Sequence, residues 1–318
     1  MMKTKEAFIS VILPVFNGGE YLIRSVQSVL AQDLREFEFL IVDDCSSDGS
    51  PGYLRELNDP RVKVFFNQEN RGLFYNLNFL IGKTHSPLIK LWSQDDIMYD
   101  GCLREFTAFH ELHPSVGFSY SKYDIIDESD NLVTVVKADD TPEIVSTGMH
   151  AAISYFTGSI AGNIANVCIC SSVLKLAGPF REDMKISADF DMWVRLAEKF
   201  PVGFLKKKVI KLRNHSGQLS RNPALYIYHL KEDIEVYRQL DNYCEPIIKN
   251  KYKPLQDIYK LQFYYTLMFK SFLKGKWHTG LNFYRLLNDY ADFKVLTWNF
   301  VKYKIFRLKR PVFKLPPI

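Results

Sequence analysis

FISVILPV (residues 8–15), EYLIRSVQSVLA (20–31) and FEFLIV (37–42) are the stretches whose reading decides the fold. The first and third are short apolar runs rich in β-branched and aromatic residues, as expected of strands buried on both faces. The second spaces Leu22, Val26 and Val29/Leu30 at helical intervals. Strand, helix, strand in this order is a βαβ unit, which implies a parallel sheet with functional residues at the carboxyl ends of its strands. The alternation continues through a strand at 62–66, a helix at 73–83 and a strand at 87–92 that stops at Ser93-Gln94-Asp95-Asp96. Beyond it the pattern predicts a helix at 101–112, a strand at 116–121 and a meandering region to 180. A helix from Ser187 to Phe200 with Ser187 as N-cap follows, then a strand at 202–212 ending at Arg213-Asn214-His215-Ser216.

The chain has 318 residues, 47% apolar, 24% charged and 14% aromatic. That describes a packed globular protein and excludes a disordered, collagen-like or low-complexity chain. No repeat of solenoid period is visible, and no uncharged apolar stretch is long enough to span a bilayer. Lys3 and Lys5 before the run from Phe8 to Phe16 imitate a signal peptide. Glu6, Pro14 and the polar Asn17-Gly18-Gly19-Glu20 point instead to a first buried strand. Five scattered cysteines form neither a disulfide framework nor a zinc pattern, and Cys168-x-Cys170 reads as strand core. A cytoplasmic location follows as the expectation.

Charge is unevenly distributed. Residues 251–318 hold 14 Lys or Arg against 3 Asp or Glu, whereas the remainder holds 27 against 33, inside a net +5. The composition changes after Pro223, which predicts a domain over 1–224 and a basic, aromatic-rich helical region over 225–318. In that region Ile258, Leu261, Tyr265, Met268 and Phe272 form one helical stripe, and 17 aromatics lie among the basic residues of 251–318. The stripe suits packing on the α/β domain or a peripheral contact with an anionic membrane surface. No nucleic-acid-binding motif is present, so nucleic acid is not expected as a partner.

Three carboxylate clusters fall where a parallel sheet places chemistry: Asp43/Asp44, Asp95/Asp96 and Asp189/Asp191. Each pair alone could be a turn or cap. Together, acids gathered at strand ends repel one another unless a cation or a donor-rich ligand lies between them, which makes a divalent metal the economical expectation.

Ser10-Val11-Ile12-Leu13-Pro14-Val15-Phe16-Asn17, Leu40-Ile41-Val42-Asp43-Asp44-Cys45-Ser46-Ser47-Asp48, and Asn70-Arg71-Gly72 with Asn78 carry a resemblance. So do Trp92-Ser93-Gln94-Asp95-Asp96, Asp189-Phe190-Asp191-Met192-Trp193-Val194-Arg195 and Arg213-Asn214-His215. In this order, over roughly residues 8–220, they resemble family 2 glycosyltransferases of non-processive bacterial type. The resemblance implies an α/β fold of the GT-A nucleotide-diphospho-sugar transferase type, a mostly parallel central sheet flanked by helices, with a C-terminal helical extension. It implies that Pro14, Val15, Phe16, Asn17, Asp44, Asn70, Arg71, Gly72, Ser93 and Gln94 hold the nucleotide sugar, with Asp44 accepting from the base. Asp95, with help from Asp96 and His215, would hold Mn2+ or Mg2+, and Asp189 would be the catalytic base. Ser93 replaces the first acid of the family's Asp-x-Asp element and removes one charge from that site.

The implied reaction is inverting transfer of one sugar, from a UDP-sugar in preference, to a hydroxyl of a glycan or lipid-linked acceptor in surface polysaccharide assembly at the inner face of the membrane. Such transfer needs charge neutralisation on the diphosphate and one base, whereas glycoside hydrolysis needs two carboxylates. Residue by residue, Asp189 could equally cap its helix, His215 could be a solvated turn residue, and Arg71 and Arg213 could pair with diphosphate or with the domain's acids. Ser93 also keeps open a catalytically silent protein that binds a partner through its basic tail. A dinucleotide dehydrogenase and a Walker-type nucleotidase lack their glycine-rich loops here.

Overall fold

The computed structural model describes residues 8–134, 140–215, 217–218 and 222–316. Lys3, Lys5, Glu6 and Ser216, used in the sequence reading, lie outside the described residues.

β1 (Ile9–Val15) has six of its seven residues buried, because neighbours pair with it on both edges and helices cover the sheet. It runs parallel to β2 (Phe37–Asp43) on one side and to β4 (Leu88–Leu91) on the other, with β3 (Val62–Phe66) parallel beyond β2. Next to β4 the sheet continues with β9 (Val167–Cys170), antiparallel to both its neighbours, then β6 (Phe118–Ile126) and the parallel β10 (Val202–Arg213). Short β5 (Ile97–Met98) and β8 (Ile144–Val145) pair with β10, and β7 (Leu132–Thr134) with β6, all antiparallel. Among the described residues these ten strands form one sheet, with the path β3-β2-β1-β4-β9-β6-β10-β5. The chain passes from β1 to β2 and β3 on one side and returns to β4 on the other. This reversal opens a crevice at the carboxyl ends of β1 and β4, where open α/β sheets bind ligands.

α1 (Gly19–Leu30) buries Leu22, Val26 and Val29 on the sheet, the stripe that its spacing predicts. α2 (Ser50–Glu56), α3 (Leu73–Ile81), α4 (Cys102–Leu112) and α6 (Ser171–Ala177) complete this unit. Trp92, Phe39, Phe106 and Cys168 lie in its core, each 0% exposed. Cys168-x-Cys170 is strand core as expected, and all five cysteines are free thiols.

The chain divides into two compact units whose segments interleave along the sequence. One comprises 1–145, 161–182 and 199–216; the other comprises 146–160, 183–198 and 217–318. α5 (Thr147–Thr157) and α7 (Ala188–Ala197) therefore belong with α8 (Tyr226–Tyr243), α9 (Pro246–Tyr259), α10 (Leu261–Leu273), α11 (Trp277–Tyr290) and α12 (Phe293–Phe300). The reason is side-chain packing. Phe190 of α7 meets Tyr237 of α8 edge-on at 5.4 Å, and Tyr155 of α5 stacks on the same ring and donates to Asp241 at 2.6 Å. Leu230, Ile234, Leu261, Met268, Leu287 and Leu296 make a separate core. Each such burial contributes about 1.5–3 kcal/mol. Of the stripe, Ile258, Leu261, Tyr265 and Met268 are buried in this unit and Phe272 is half-buried. The exposed aromatics of the region are other residues, Trp277 and Trp298 among them.

Candidate functional site

At the carboxyl end of β1 the loop of residues 16–19 is bound into the loop that follows β2. Asn17 N donates to Ser46 Oγ (2.9 Å), Gly18 N to Ser50 Oγ (3.0 Å) and Gly19 N to Asp48 Oδ2 (2.9 Å). Asn17 Oδ1 accepts from Ser47 N at 2.8 Å. These amides lead into α1 and would otherwise be orphan donors. Asn17 adopts φ +50°, which Asn tolerates better than most residues. At Gly18 a Cβ would lie 2.9 Å from Leu22 Cβ, so only glycine fits. Gln94, after β4, grips Phe16 through both main-chain groups: N donates to Oε1 (2.8 Å) and Nε2 donates to the carbonyl (3.0 Å). Phe16 and Asn17 are exposed, Pro14 is half-buried and Val15 is buried.

Asp44 N donates to Val15 O at 2.7 Å, fixing its side chain beside β1. Its Oδ1 accepts from Asn67 Nδ2 and Arg71 N, both at 2.8 Å, and Oδ2 from Gly72 N at 2.9 Å. Burial opposes the charge, but donation by Arg71, Asn76, Asn67 and Gly72 outweighs it and holds the carboxyl below the usual range. Asp44 thus ties the 70–72 turn to β2. Asn70 is exposed. The exposed Arg71 side chain pairs with Glu69 at 2.9 Å and lies over the Tyr75 ring. Asn78 anchors the 180–182 segment through Phe180 N, Phe180 O and Glu182.

Of the acids after β4, Asp96 is buried and its Oδ1 accepts from Arg213 N at 2.8 Å. Burial, with Asp95 adding to it, pushes its carboxyl up to about 7 despite the Arg213 amide. Asp95 is partly exposed, and burial raises it too, against the charges of His215 and Arg213. Its Oδ2 stands 3.5 Å from His215 Nε2, a buried nitrogen with no hydrogen-bond partner within 3.5 Å and standard geometry among the described residues. The Ser93 carbonyl accepts from Ser25 Oγ at 2.7 Å, and Ser93 Oγ lies 3.4 Å from Asp95 N. Arg213 resolves the alternative between diphosphate and acids. It is fully buried, donates to Asp95 O, Asp127 O and Asp130, and lies beneath the Tyr21 ring. Tyr21 also packs on His215 at 5.3 Å.

Asp189 opens α7 in the second unit. It is half-buried, its Oδ1 accepts from Phe190 N at 2.7 Å, and burial pushes its carboxyl up to about 7, with the charges of Asp233 and Glu232 adding to the shift. Asp191 is committed elsewhere, to a two-pronged pair with Arg195 at 2.8 Å. Ser187 stands at the N-cap position without capping through its side chain, and its Oγ donates to Asp233 Oδ1 (2.8 Å) instead. The capping acceptor is Glu232 of α8, which takes the amides of Lys185, Ile186 and Ser187 at 2.8–2.9 Å. Sequence reasoning missed Glu232 and Asp233. The available signal was an acid three residues after Leu230, on the face that also carries Ile234 and Tyr237.

Among the described residues no three His, Cys, Asp or Glu side chains gather as a metal-holding group, and no helix is long and apolar enough to cross a membrane.

A switch-point crevice bordered by the loops that carry Asp44 and Asp95 is the architecture of a GT-A fold. Residues 10–162 match the family model described as "Glycosyl transferase family 2". Over these residues the chain is similar to glycosyltransferase family 2. It is 27% identical over 214 residues to an uncharacterized glycosyltransferase of Rickettsia conorii, covering 67% of this chain but only 35% of that protein. Against EpsE of Bacillus subtilis, which carries a provisional glycosyltransferase name, identity is 26% over 235 residues, 72% of this chain and 81% of EpsE. Staphylococcus aureus TarS 1–349 in complex with UDP-GlcNAc superposes with a TM-score of 0.66 at 19% identity, over 89% of this chain and 80% of that one. The mannosyltransferase PcManGT of Pyrobaculum calidifontis, in complex with GDP-Man and Mn2+, gives 0.57 at 12% identity, over 96% and 82%. At these identities the two structures establish the shared fold.

Proposed function

We propose that the protein is an inverting glycosyltransferase that moves one sugar from a nucleotide-diphosphate sugar, UDP-linked in preference, to a hydroxyl of a glycan or lipid-linked acceptor. Surface polysaccharide biosynthesis is the setting this reading favours. The observation that carries it is Asp189, a half-buried carboxylate raised to about 7, where a general base works at neutral pH. In the proposed step Asp189 takes the proton of the acceptor hydroxyl. The acceptor oxygen bonds to the anomeric carbon as the bond to the diphosphate oxygen breaks on the opposite face.

The donor set fits a hard divalent cation. Asp95 and His215, whose Oδ2 and Nε2 lie 3.5 Å apart, would hold the ion. Mg2+ and Mn2+ sites commonly use one or two protein ligands and fill the rest with phosphate oxygens and water. When bound, the ion neutralises charge on the departing diphosphate. Buried Asp96 fixes the Asp95 loop by accepting from Arg213 N. Gln94, Asp44 and the 70–72 turn hold the loops against which the nucleotide would lie.

The test is incubation with UDP-GlcNAc, other UDP-sugars and GDP-mannose, with and without Mn2+, following thermal shift and release of free nucleotide. A metal-dependent rise in melting temperature with nucleotide release is expected. Binding without release under any acceptor condition overturns the enzymatic reading.

The C-terminal helices support a peripheral contact with anionic lipid. Residues 261–318 hold 11 Lys or Arg against 2 acids, and those two are engaged, Asp289 with Arg238 and Asp292 as the cap of α12. Leu273, Trp277 and Trp298 are 81%, 65% and 54% exposed there. Cosedimentation with phosphatidylglycerol vesicles at low salt, but not with neutral vesicles, is the expected result.

A further inference from the structure

Glu232 places a buried carboxylate from α8 against three successive amides, Lys185 N, Ile186 N and Ser187 N, at the entry to α7. A charged acceptor serving three amides fixes the path of the chain into the helix far more firmly than a serine cap, and here the serine is diverted. Beside it, Asp233 holds Ser187 Oγ at 2.8 Å and receives the Tyr264 hydroxyl at 3.3 Å. Residues 185–187 are thus held by two adjacent acids of one helix turn. Neither acid is a solvated surface residue that happens to lie nearby. Glu232 is 6% exposed, and the Asp233 charge is opposed by burial.

We propose that Glu232 and Asp233 are positioning residues for sugar transfer. Glu232 fixes the backbone that presents Asp189, and the paired carboxylates set the field in which Asp189 takes up the acceptor proton; this rests on Asp189 being the base. The charged groups facing this region are accounted for as follows. Glu232 and Asp233 face Asp189 from α8; His229 of α8 and Lys260, between α9 and α10, face Asp233. On α7 itself Asp191 is neutralised by Arg195. Negative charge therefore dominates around Asp189, and removing one unit makes its proton easier to lose.

The experiment compares Glu232→Gln and Asp233→Asn, both close to isosteric, with the full-length parent enzyme. It measures kcat and donor KM against pH, together with amide hydrogen exchange at residues 185–187. Both variants are expected to move the acidic limb of kcat down by roughly one pH unit. Glu232→Gln is also expected to lower kcat about tenfold or more with donor KM within about twofold, since misplacing a reacting group acts on the chemical step. Its amides at 185–187 should exchange faster. If Glu232→Gln does not fold, Asp233→Asn carries the charge test alone, since it can keep the Ser187 bond. An unmoved acidic limb overturns the proposal. Asp189→Asn separates the two levels. If it is inactive while the other variants leave the limb in place, the positioning role fails and the base stands; if it retains turnover, both fall.

Discussion

Asp44 and Asp189 are the same side chain in two regions with opposite chemistry. Around Asp44 the chain presents donors, two backbone amides and an Asn, and the carboxylate is held ionised below its usual range. Around Asp189 the chain presents other acids, and burial with those acids raises the group to about 7. The first environment keeps a charge to organise a binding loop. The second holds a carboxylate where it can gain and lose a proton near neutrality.

The largest expected break in that contrast is Asp189→Asn. It should lower kcat by about 10² to 10⁴ while the melting temperature stays close to that of the parent. In the parent, kcat should rise with pH through about 7 and then level, because the working form of a raised carboxylate is populated above its folded value. Asp44→Ala should act mainly on stability. Leaving three loop donors without their acceptor costs about 3 kcal/mol in urea unfolding at neutral pH. That cost should shrink as pH falls through the carboxylate range, since a depressed group stabilises only while it is ionised in the fold.

A buried cation extends the comparison to the opposite sign. Lys90 in β4 is 0% exposed, donates to the carbonyls of Ala165 and Leu91, and is pushed down to about 8 by burial. Between pH 8 and the unfolded value of 10.5 the unfolded chain holds the extra proton, so stability rises with pH in that window. Relative to Lys90→Met, the parent should gain about 2 kcal/mol between pH 8 and pH 10 in denaturant titrations. The smallest effect is expected at Asp292, whose Oδ1 accepts from Lys294 N at 2.8 Å to cap α12. Asp292→Ala should cost about 1 kcal/mol with no change in the kcat profile.

The parallel half of the sheet was legible because its strands are continuous apolar runs: 62–66 is β3 as read, and β1, β2 and β4 differ from the reading by a residue or two at their ends. α5 and β9 were missed, since both lie in a stretch whose apolar residues are buried all round and leave no clear period. The loops bearing Asp44, Asp95 and Asp189 were visible as polar breaks after apolar runs or at a helix start. The partners that tune these acids were not. Glu232 acts on amides some 45 residues away in sequence, and Arg213 reaches acids far upstream. Such pairings depend on tertiary contact and leave no local pattern. The compact units are not marked by composition for a related reason: composition changes near 223, whereas α5 and α7 join the later helices through aromatic contacts.

That interleaving has a consequence for how the molecule is made. α7 leaves the ribosome before α8 exists, so Asp189 has no carboxylate neighbours until the carboxyl-terminal third has been synthesised. Any chain that stops before α8 can complete the sheet and still lack the acids that raise Asp189, and no single cut of the polypeptide yields one fragment for each compact unit.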